Sequence, residues 1–196
     1  MRELNFPFDG KDIIRRRLAL KKALLSDGTV RVKKKVAVLG GSTTNHIVSA
    51  LELFLLNFGI EPEFYQSEYN KFYEDAVFGN PELDSFGPDI IYIHTTSRNL
   101  TLMPESPAEK PERVQQRLEE QFGIFRQVWE NLIERYSCPI IQNNFEYPFF
   151  RLLGNRDAYD PHGRVNFVSA LNGKFYEYAQ THSNFYICDV NYISAS

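Results

Sequence analysis

Cysteine, tryptophan and methionine are scarce in this chain, whose 196 residues hold two Cys, one Trp and two Met. Cys138 and Cys188 stand far apart, in no C-x-x-C or other metal-ligand spacing, which excludes a disulfide framework and a cysteine zinc site. Both flank apolar runs and read as reduced, partly buried thiols. The four histidines form no H-x-H or H-x-x-x-H pair, so no metal ligand set is expected here. No apolar run approaches the roughly 18 residues of a membrane span. Charges occupy the N-terminus where a secretory signal would be apolar, and the chain reads as cytoplasmic. A net charge of -3 carries no nucleic-acid footprint. A G-x-G-x-x-G fingerprint, a P-loop lysine, a D-x-D-x-T motif and any internal repeat are also missing.

What is present is an ordinary globular composition with many rings. Hydrophobic residues make up 43% and charged residues 24%, which excludes disorder as the overall class. The length suits one compact domain with a sizeable core. Aromatics reach 14%, with 16 Phe and 11 Tyr, and most are expected to be buried. Basic residues concentrate at Arg15, Arg16, Arg17, Lys21, Lys22, Arg31, Lys33, Lys34 and Lys35. This run reads as a solvated face, with an acidic partner or membrane surface as the alternative.

Residues 1–34 read as a basic N-terminal extension with a helical stripe through Ile13, Ile14, Leu18, Leu20, Leu24 and Leu25. From residue 35 a strand–helix alternation begins. Val36 to Leu39 is a short continuous apolar run, as expected of a strand buried on both faces. Ile47, Leu51, Phe54, Leu55 and Phe58 follow at helical spacing, and Gly59 closes the helix. Pro62 to Tyr65 and Ile90 to Ile93 read as strands, with a polar and aromatic stretch over residues 68–86 between them. A long loop over 97–111 precedes an amphipathic helix over about 112–136. Cys138 to Asn144 is a fourth strand and its exit. A second long loop over 145–163, in which Asp157 and Asp160 read as solvated charges, leads to a helix over 165–181 and a strand over 185–189.

This alternation predicts a three-layer α/β/α, doubly wound parallel sheet. Parallel strands joined by right-handed crossovers place all strand C-termini on one edge, where ligands bind in such sheets. Gly40 to Asn45, Tyr65 to Asn70, His94 to Asn99, Asn143 to Glu146, and Asp189 to Asn191 fall there. The Gly40-Gly41-Ser42 turn is the sharpest signal. Two glycines allow a tight turn and close approach to a ligand, and Ser42 falls at the start of a helix, where amide donors favour negative charge. Ser42 is either a nucleophile beside a ready oxyanion site or the helix N-cap, with Thr43, Thr44 and Asn45 competing for the second role. His94, directly after the third strand, is the candidate base. His46, His162 and His182 are less well placed, and Asp189 reads as a helix cap or turn residue.

Val38-Leu39-Gly40-Gly41-Ser42-Thr43-Thr44 resembles the first block of the SGNH (GDSL-type) hydrolases, with Gly41 where Asp is usual. Leu39 to Thr44, Gly59 to Tyr65, Pro88 to Ile93, Asn143-Asn144-Phe145-Glu146, Gly154-Asn155, Leu171-Asn172 and Phe185 to Val190 together resemble more closely the N-terminal SGNH-like domain of FkbH-like proteins, of haloacid-dehalogenase-type subfamily IIIC. The resemblance runs over roughly residues 33–196 and assigns 35–196 to the domain. It implies a flavodoxin-like sheet in the order 2-1-3-4-5. It also implies that the chain is a fragment of a bacterial protein. The partner would be a C-terminal phosphatase-type domain of the same parent chain, to which Mg²⁺ would belong, leaving no cofactor in this part. An acyl carrier protein or a small-molecule ester is the further partner implied.

An SGNH serine needs a histidine base, an orienting aspartate, and oxyanion donors from its own amide, a glycine and an asparagine. By the resemblance Ser42 is the nucleophile position. Gln66-Ser67-Glu68-Tyr69-Asn70 replaces the glycine block, and the asparagine maps to Ser97 or, with a shift, Asn99. Gly41, Thr43, Ser97, Asn99, Asn143 and Asn144 are the binding or oxyanion candidates. The D-x-x-H block would follow the fifth strand, and Asp160-Pro161-His162 is one residue too short for it. The expectation is a degenerate SGNH-like module that holds a substrate or carrier beside a phosphatase or glyceryl-transfer domain. The alternative is a serine ester hydrolase acting through Ser42.

Overall fold

The structure is a computed structural model that describes residues 1–195. Helix α1 (Gly10–Leu25) begins where the Asp9 carboxylate accepts hydrogen bonds from the Lys11 and Asp12 amides, which satisfies two of the unpaired donors of a helix start. There follow β1 (Val32–Gly40), α2 (Asn45–Asn57), β2 (Ile60–Gln66), α3 (Phe72–Val77), α4 (Pro81–Phe86) and β3 (Ile90–His94). Then come α5 (Pro111–Tyr136), β4 (Ile140–Asn143), α6 (Arg164–Thr181), β5 (Phe185–Cys188) and α7 (Val190–Ala195). The five strands form one sheet in the order β2-β1-β3-β4-β5, and every neighbouring pair is parallel. The architecture is the doubly wound one predicted, with all five strand C-termini on a common edge.

Alternation along the strands sorts the core into two faces. Ala37, Leu39, Ile91, Ile93, Ile140 and Phe185 pack with α3, α5 and α6. Val36 and Val38 pack the other way, on Val48 of α2, and α1 in turn covers α2 through Ile13, Leu20 and Leu24. On the first face Trp129 lies 4.7 Å from Phe175, 4.7 Å from Tyr178 and 4.5 Å from Phe185, ring centre to ring centre. Burying such rings contributes roughly 2–3 kcal/mol each before conformational entropy is subtracted. The richness in Phe is only partly core: Phe72, Phe125, Phe145, Phe167, Phe175 and Phe185 are buried, whereas Phe6, Phe8, Phe58, Phe78, Phe149 and Phe150 are exposed. Cys138 is buried and Cys188 half-buried, both unpaired thiols. Burial pushes the Cys138 thiol up to about 11, so it is protonated and unreactive at neutral pH.

Three elements depart from the sequence reading. Strand β1 runs from Val32 to Gly40, so Lys33, Lys34 and Lys35, part of the basic run, belong to a strand of the sheet. Only β2 pairs with that half, since β3 joins from Val36 onward. Asp89 answers the charge, accepting the Lys35 amide at 2.8 Å and the Lys34 ammonium at 3.5 Å. Residues 68–86 contain the two six-residue helices α3 and α4, too short to show a helical period. Asn80 starts the second by accepting from the Glu82 and Leu83 amides, with Pro81 in the first turn.

The third departure is Asp157, which is not a solvated charge. It is 0% exposed. Its Oδ1 accepts from the Leu152 and Leu153 amides at 2.7 and 2.9 Å, and its Oδ2 from the Val165 amide at 2.7 Å. One carboxylate thus ties the loop over 145–163 to the first turn of α6. The chain closes on it so tightly that a Cβ on Gly163 would lie 2.0 Å from the Asp157 carbonyl oxygen.

Candidate functional site

The turn after β1 is built by close approach on both sides. The Gly40 amide donates to Ser67 Oγ at 2.8 Å, and the Gly41 amide donates to the His94 carbonyl at 2.8 Å. A Cβ on Gly40 would stand 2.7 Å from Thr44 Cγ2, and one on Gly41 would stand 2.4 Å from Asn99 Oδ1. Neither fits without displacement, so the two glycines are required by space rather than by turn type. The turn delivers Ser42, half-buried, to the mouth of a cleft of about 320 Å³. The Tyr69-Asn70 segment, Tyr73 and Glu74 of α3, Arg98 and Asn99 line the cleft together with apolar and polar side chains of α5.

Ser42 is not the helix cap. Thr44 occupies that position, and its hydroxyl donates to Gln66 Oε1 at 3.3 Å instead of capping an amide. Among the described residues the Ser42 hydroxyl has no hydrogen-bond partner, so no histidine nitrogen is within reach of it. Each ring-bonded histidine has its partners elsewhere. His94 Nδ1 faces the Tyr92 hydroxyl at 3.3 Å. His162 lies between Asp160 Oδ1 at 2.9 Å and the Glu109 carbonyl at 2.8 Å. His182 Nδ1 faces the Tyr178 carbonyl at 2.8 Å. Exposed His46 borders a different, apolar depression between α1 and α2. Burial holds the His94 imidazole below its ordinary value, with Glu146 pulling weakly the other way. It is neutral at pH 7, as a base should be, but it does not touch the serine.

Asn99 is fully engaged. It ends a short 3-10 turn (Ser97–Asn99) whose capping box pairs it with Thr96. Its Oδ1 accepts from the Thr96 amide at 2.8 Å. Its Nδ2 donates to the Gly41 carbonyl at 2.9 Å and to Asn70 Oδ1 at 3.0 Å. Both N–H bonds of the side chain are therefore taken. Asn70, at a left-handed φ of 60°, ends the Gln66–Asn70 block that replaces the expected glycine, and its oxygen occupies one of those donors. Ser97 is engaged as well, its amide and hydroxyl both donating to Glu146 Oε1, at 3.1 and 2.9 Å. Thr43 is exposed beside the turn.

Asn143 and Asn144 are structural. Both are 0% exposed. Asn143 accepts from the Thr95 amide at 2.8 Å and returns a bond to the Thr95 carbonyl at 2.7 Å. Gln142 joins this network through Thr95 Oγ1 at 3.0 Å and the Trp129 indole at 3.1 Å. Asn144 Nδ2 donates to the Tyr176 hydroxyl and to Asp189, and its oxygen accepts from the Asn191 amide at 3.0 Å. Asp189 also accepts from the Tyr192 amide at 3.2 Å, the bond of a cap at the start of α7. Such satisfied networks lock β3, β4 and β5 together. Neither asparagine lines the cleft.

Among the described residues, the cleft presents the Ser42 hydroxyl with no histidine nitrogen in reach and an Asn99 side chain without a spare donor. An unactivated serine hydroxyl is a hydrogen-bonding group, not a nucleophile. Among the described residues no three His, Cys, Asp or Glu side chains converge as a metal site. Sequence reasoning put Arg98, Asn70 and Glu146 on the ligand edge but gave none of them a binding role. A lone arginine or asparagine in a loop carries no signal until the fold sets it against Ser42 or Ser97.

The fold, a five-stranded parallel α/β sheet with the turn after β1 at a cleft, defines the class. Within it, the model of the FkbH N-terminal domain matches residues 35–196, and the chain belongs to that family. Among curated proteins none matches it. Among solved structures, the chain is similar to the N-terminal part of BF1531 from Bacteroides fragilis, described as containing a phosphatase domain complexed with Mg. The two share 21% identity at a TM-score of 0.73, over 91% of this chain and 46% of that one. BT4096, described as a gut microbial diltiazem-metabolizing enzyme, matches at 14% identity and a TM-score of 0.50, over 83% of this chain and 38% of that one. Both likenesses are likenesses of fold. The chain spans less than half the length of either structure.

Proposed function

We propose that the domain is a ligand-holding module on an SGNH-like frame, and that it does not hydrolyse esters by itself. One observation carries this reading: Ser42 faces the cleft with no histidine in hydrogen-bond reach, while both N–H bonds of Asn99 are already made. The module would work beside a phosphatase-type domain of one longer cytoplasmic protein of the haloacid-dehalogenase superfamily. Any Mg²⁺ chemistry would reside in that other domain. The family match and the likeness to a phosphatase-containing protein support that setting. A small-molecule ester or an acyl carrier protein with its cargo is the ligand this setting suggests.

Hydrolysis of p-nitrophenyl acetate by wild type and Ser42→Ala is the test. The expected rate is the non-enzymatic one for both. Turnover that Ser42→Ala abolishes would overturn the reading and restore the alternative, a serine ester hydrolase with Ser42 as nucleophile. One feature favours that alternative: a half-buried serine at the cleft mouth whose hydroxyl is not otherwise bonded.

A further inference from the structure

The cleft that holds Ser42 is rich in unused hydrogen-bond donors. Arg98 lines it, yet among the described residues its guanidinium makes no ion pair and no hydrogen bond, since only its backbone amide is bonded, to Thr96 Oγ1 at 3.3 Å. Asn70 uses its oxygen on Asn99 and leaves its Nδ2 without a partner. The Ser42 hydroxyl is the third unbonded donor on the same walls. Arg98 is positioned rather than loose along the backbone, because it is the middle residue of the 3-10 turn fixed by the Thr96–Asn99 capping box. Helix α2, 13 residues long, starts next to Ser42, and its cap residue makes no side-chain bond to the first amides. Its dipole adds positive potential to the donors. Among the described residues, Glu74 is the only other charged residue lining the cleft, and it does not pair with Arg98.

The geometry points to a binding site for the oxyanion of a small ligand, a carboxylate or a phosphate, with Arg98 as the charge contact and Ser42 and Asn70 as flanking donors. A guanidinium presents a planar fork of N–H donors that matches such groups bidentately. A cleft of about 320 Å³ is at the small end of ligand sites, so the rest of the ligand is short. The like charge of Glu74 directs the anion to the Arg98 wall and leaves a carboxylate acceptor for a hydroxyl or amine at the ligand's other end. This deepens the ligand-holding reading and rests on it.

Two-dimensional NMR of the full chain, titrated at constant ionic strength, tests the site with three probes: acetate, inorganic phosphate and neutral methyl acetate. Saturable shifts of the Gly41, Ser42, Arg98 and Asn99 amides with acetate or with phosphate, weakened about tenfold or more in Arg98→Gln and less in Arg98→Lys, support it. Which of the two anions saturates the site tells a carboxylate ligand from a phosphate one. No saturable shift with either anion, or shifts unchanged in Arg98→Gln, overturns it. Saturation by methyl acetate alone would overturn the anion site while leaving the ligand-holding reading intact. Ser42-dependent ester turnover would instead remove that broader reading.

Discussion

The two halves of the ligand edge are built on opposite principles. At the end of β4 and in the loop beyond it the polar groups are buried and answered: Gln142, Asn143, Asn144 and Asp157 each meet donors or acceptors inside the protein. Beyond β1, β2 and β3 the polar groups are held in place but left partly unanswered: Ser42, Asn70 and Arg98 face an open cleft with donors to spare among the described residues. A buried polar group left unbonded is costly, so the first half must be saturated to fold. An exposed donor can wait for a ligand. The closed half therefore sets stability and the open half sets chemistry, and substitutions should separate the two.

The largest effect is expected in the closed half. Asp157→Ala strips three backbone amides of their acceptor in a fully buried site. The expected loss is on the order of 3–5 kcal/mol, a fall in Tm of about 10 °C for a domain of this size. Asp157→Asn keeps one acceptor oxygen and should lose less. Thermal unfolding by circular dichroism reads both. Equal, small losses would show that the loop over 145–163 is held by something other than this carboxylate.

Gly41→Ala breaks the boundary between the halves. The added methyl would lie 2.4 Å from Asn99 Oδ1 and must push the asparagine off the Gly41 carbonyl and Asn70. A cost of about 1–3 kcal/mol follows for overpacking of this kind. Asn99→Ala in the same chain makes room for the methyl, so the double variant should be destabilised by less than the sum of the two. Additive losses would show that the clash is relieved by backbone movement instead.

These residues also show where sequence reading succeeds. The parallel sheet and the edge that carries the cleft followed from short apolar runs at regular intervals, because buried parallel strands leave a strong one-dimensional trace, whereas the strand order came from the family resemblance. The roles of the polar residues left none. Asn99 and Asn143 are the same residue type, each a few positions past a strand or at its end. One borders the cleft and the other is sealed in the core, and only the partners brought by tertiary packing distinguish them. Asp157 looked like a loop charge for the same reason, since a carboxylate capped by three amides has no periodicity to betray it.

A smaller, pH-dependent effect is expected at the joint between the two long loops. Both ring nitrogens of His162 face acceptors, the Asp160 carboxylate and the Glu109 carbonyl. A neutral imidazole has one N–H and satisfies only one of them, so the cation is favoured. The Asp160 bond, then the Glu109 carbonyl, hold the His162 pKa above its ordinary value. The Arg156 guanidinium, 2.6 Å from Asp160, limits this effect by sharing the carboxylate. A pKa raised on folding means that the unfolded chain binds fewer protons through this pH range. The contribution is complete below the unfolded value, about 6.5, and vanishes as the pH rises through the folded one. Tm measured from pH 6 upward should therefore fall more steeply in wild type than in His162→Gln. Parallel slopes would show that the imidazole carries no extra proton in the fold.

The smallest effect belongs to Ser42, and its size is the point. Its hydroxyl has no partner to lose among the described residues, and the residue is only half-buried. Ser42→Ala should therefore leave stability within about 0.5 kcal/mol of wild type. A serine whose hydroxyl capped the first amides of α2 would cost about 1 kcal/mol on the same replacement. A loss at Ser42 as large as that of a cap residue would mean that its hydroxyl is bonded within the protein in solution. That result would move Ser42 from the open half of the edge to the closed one and deprive the cleft of one of its three free donors.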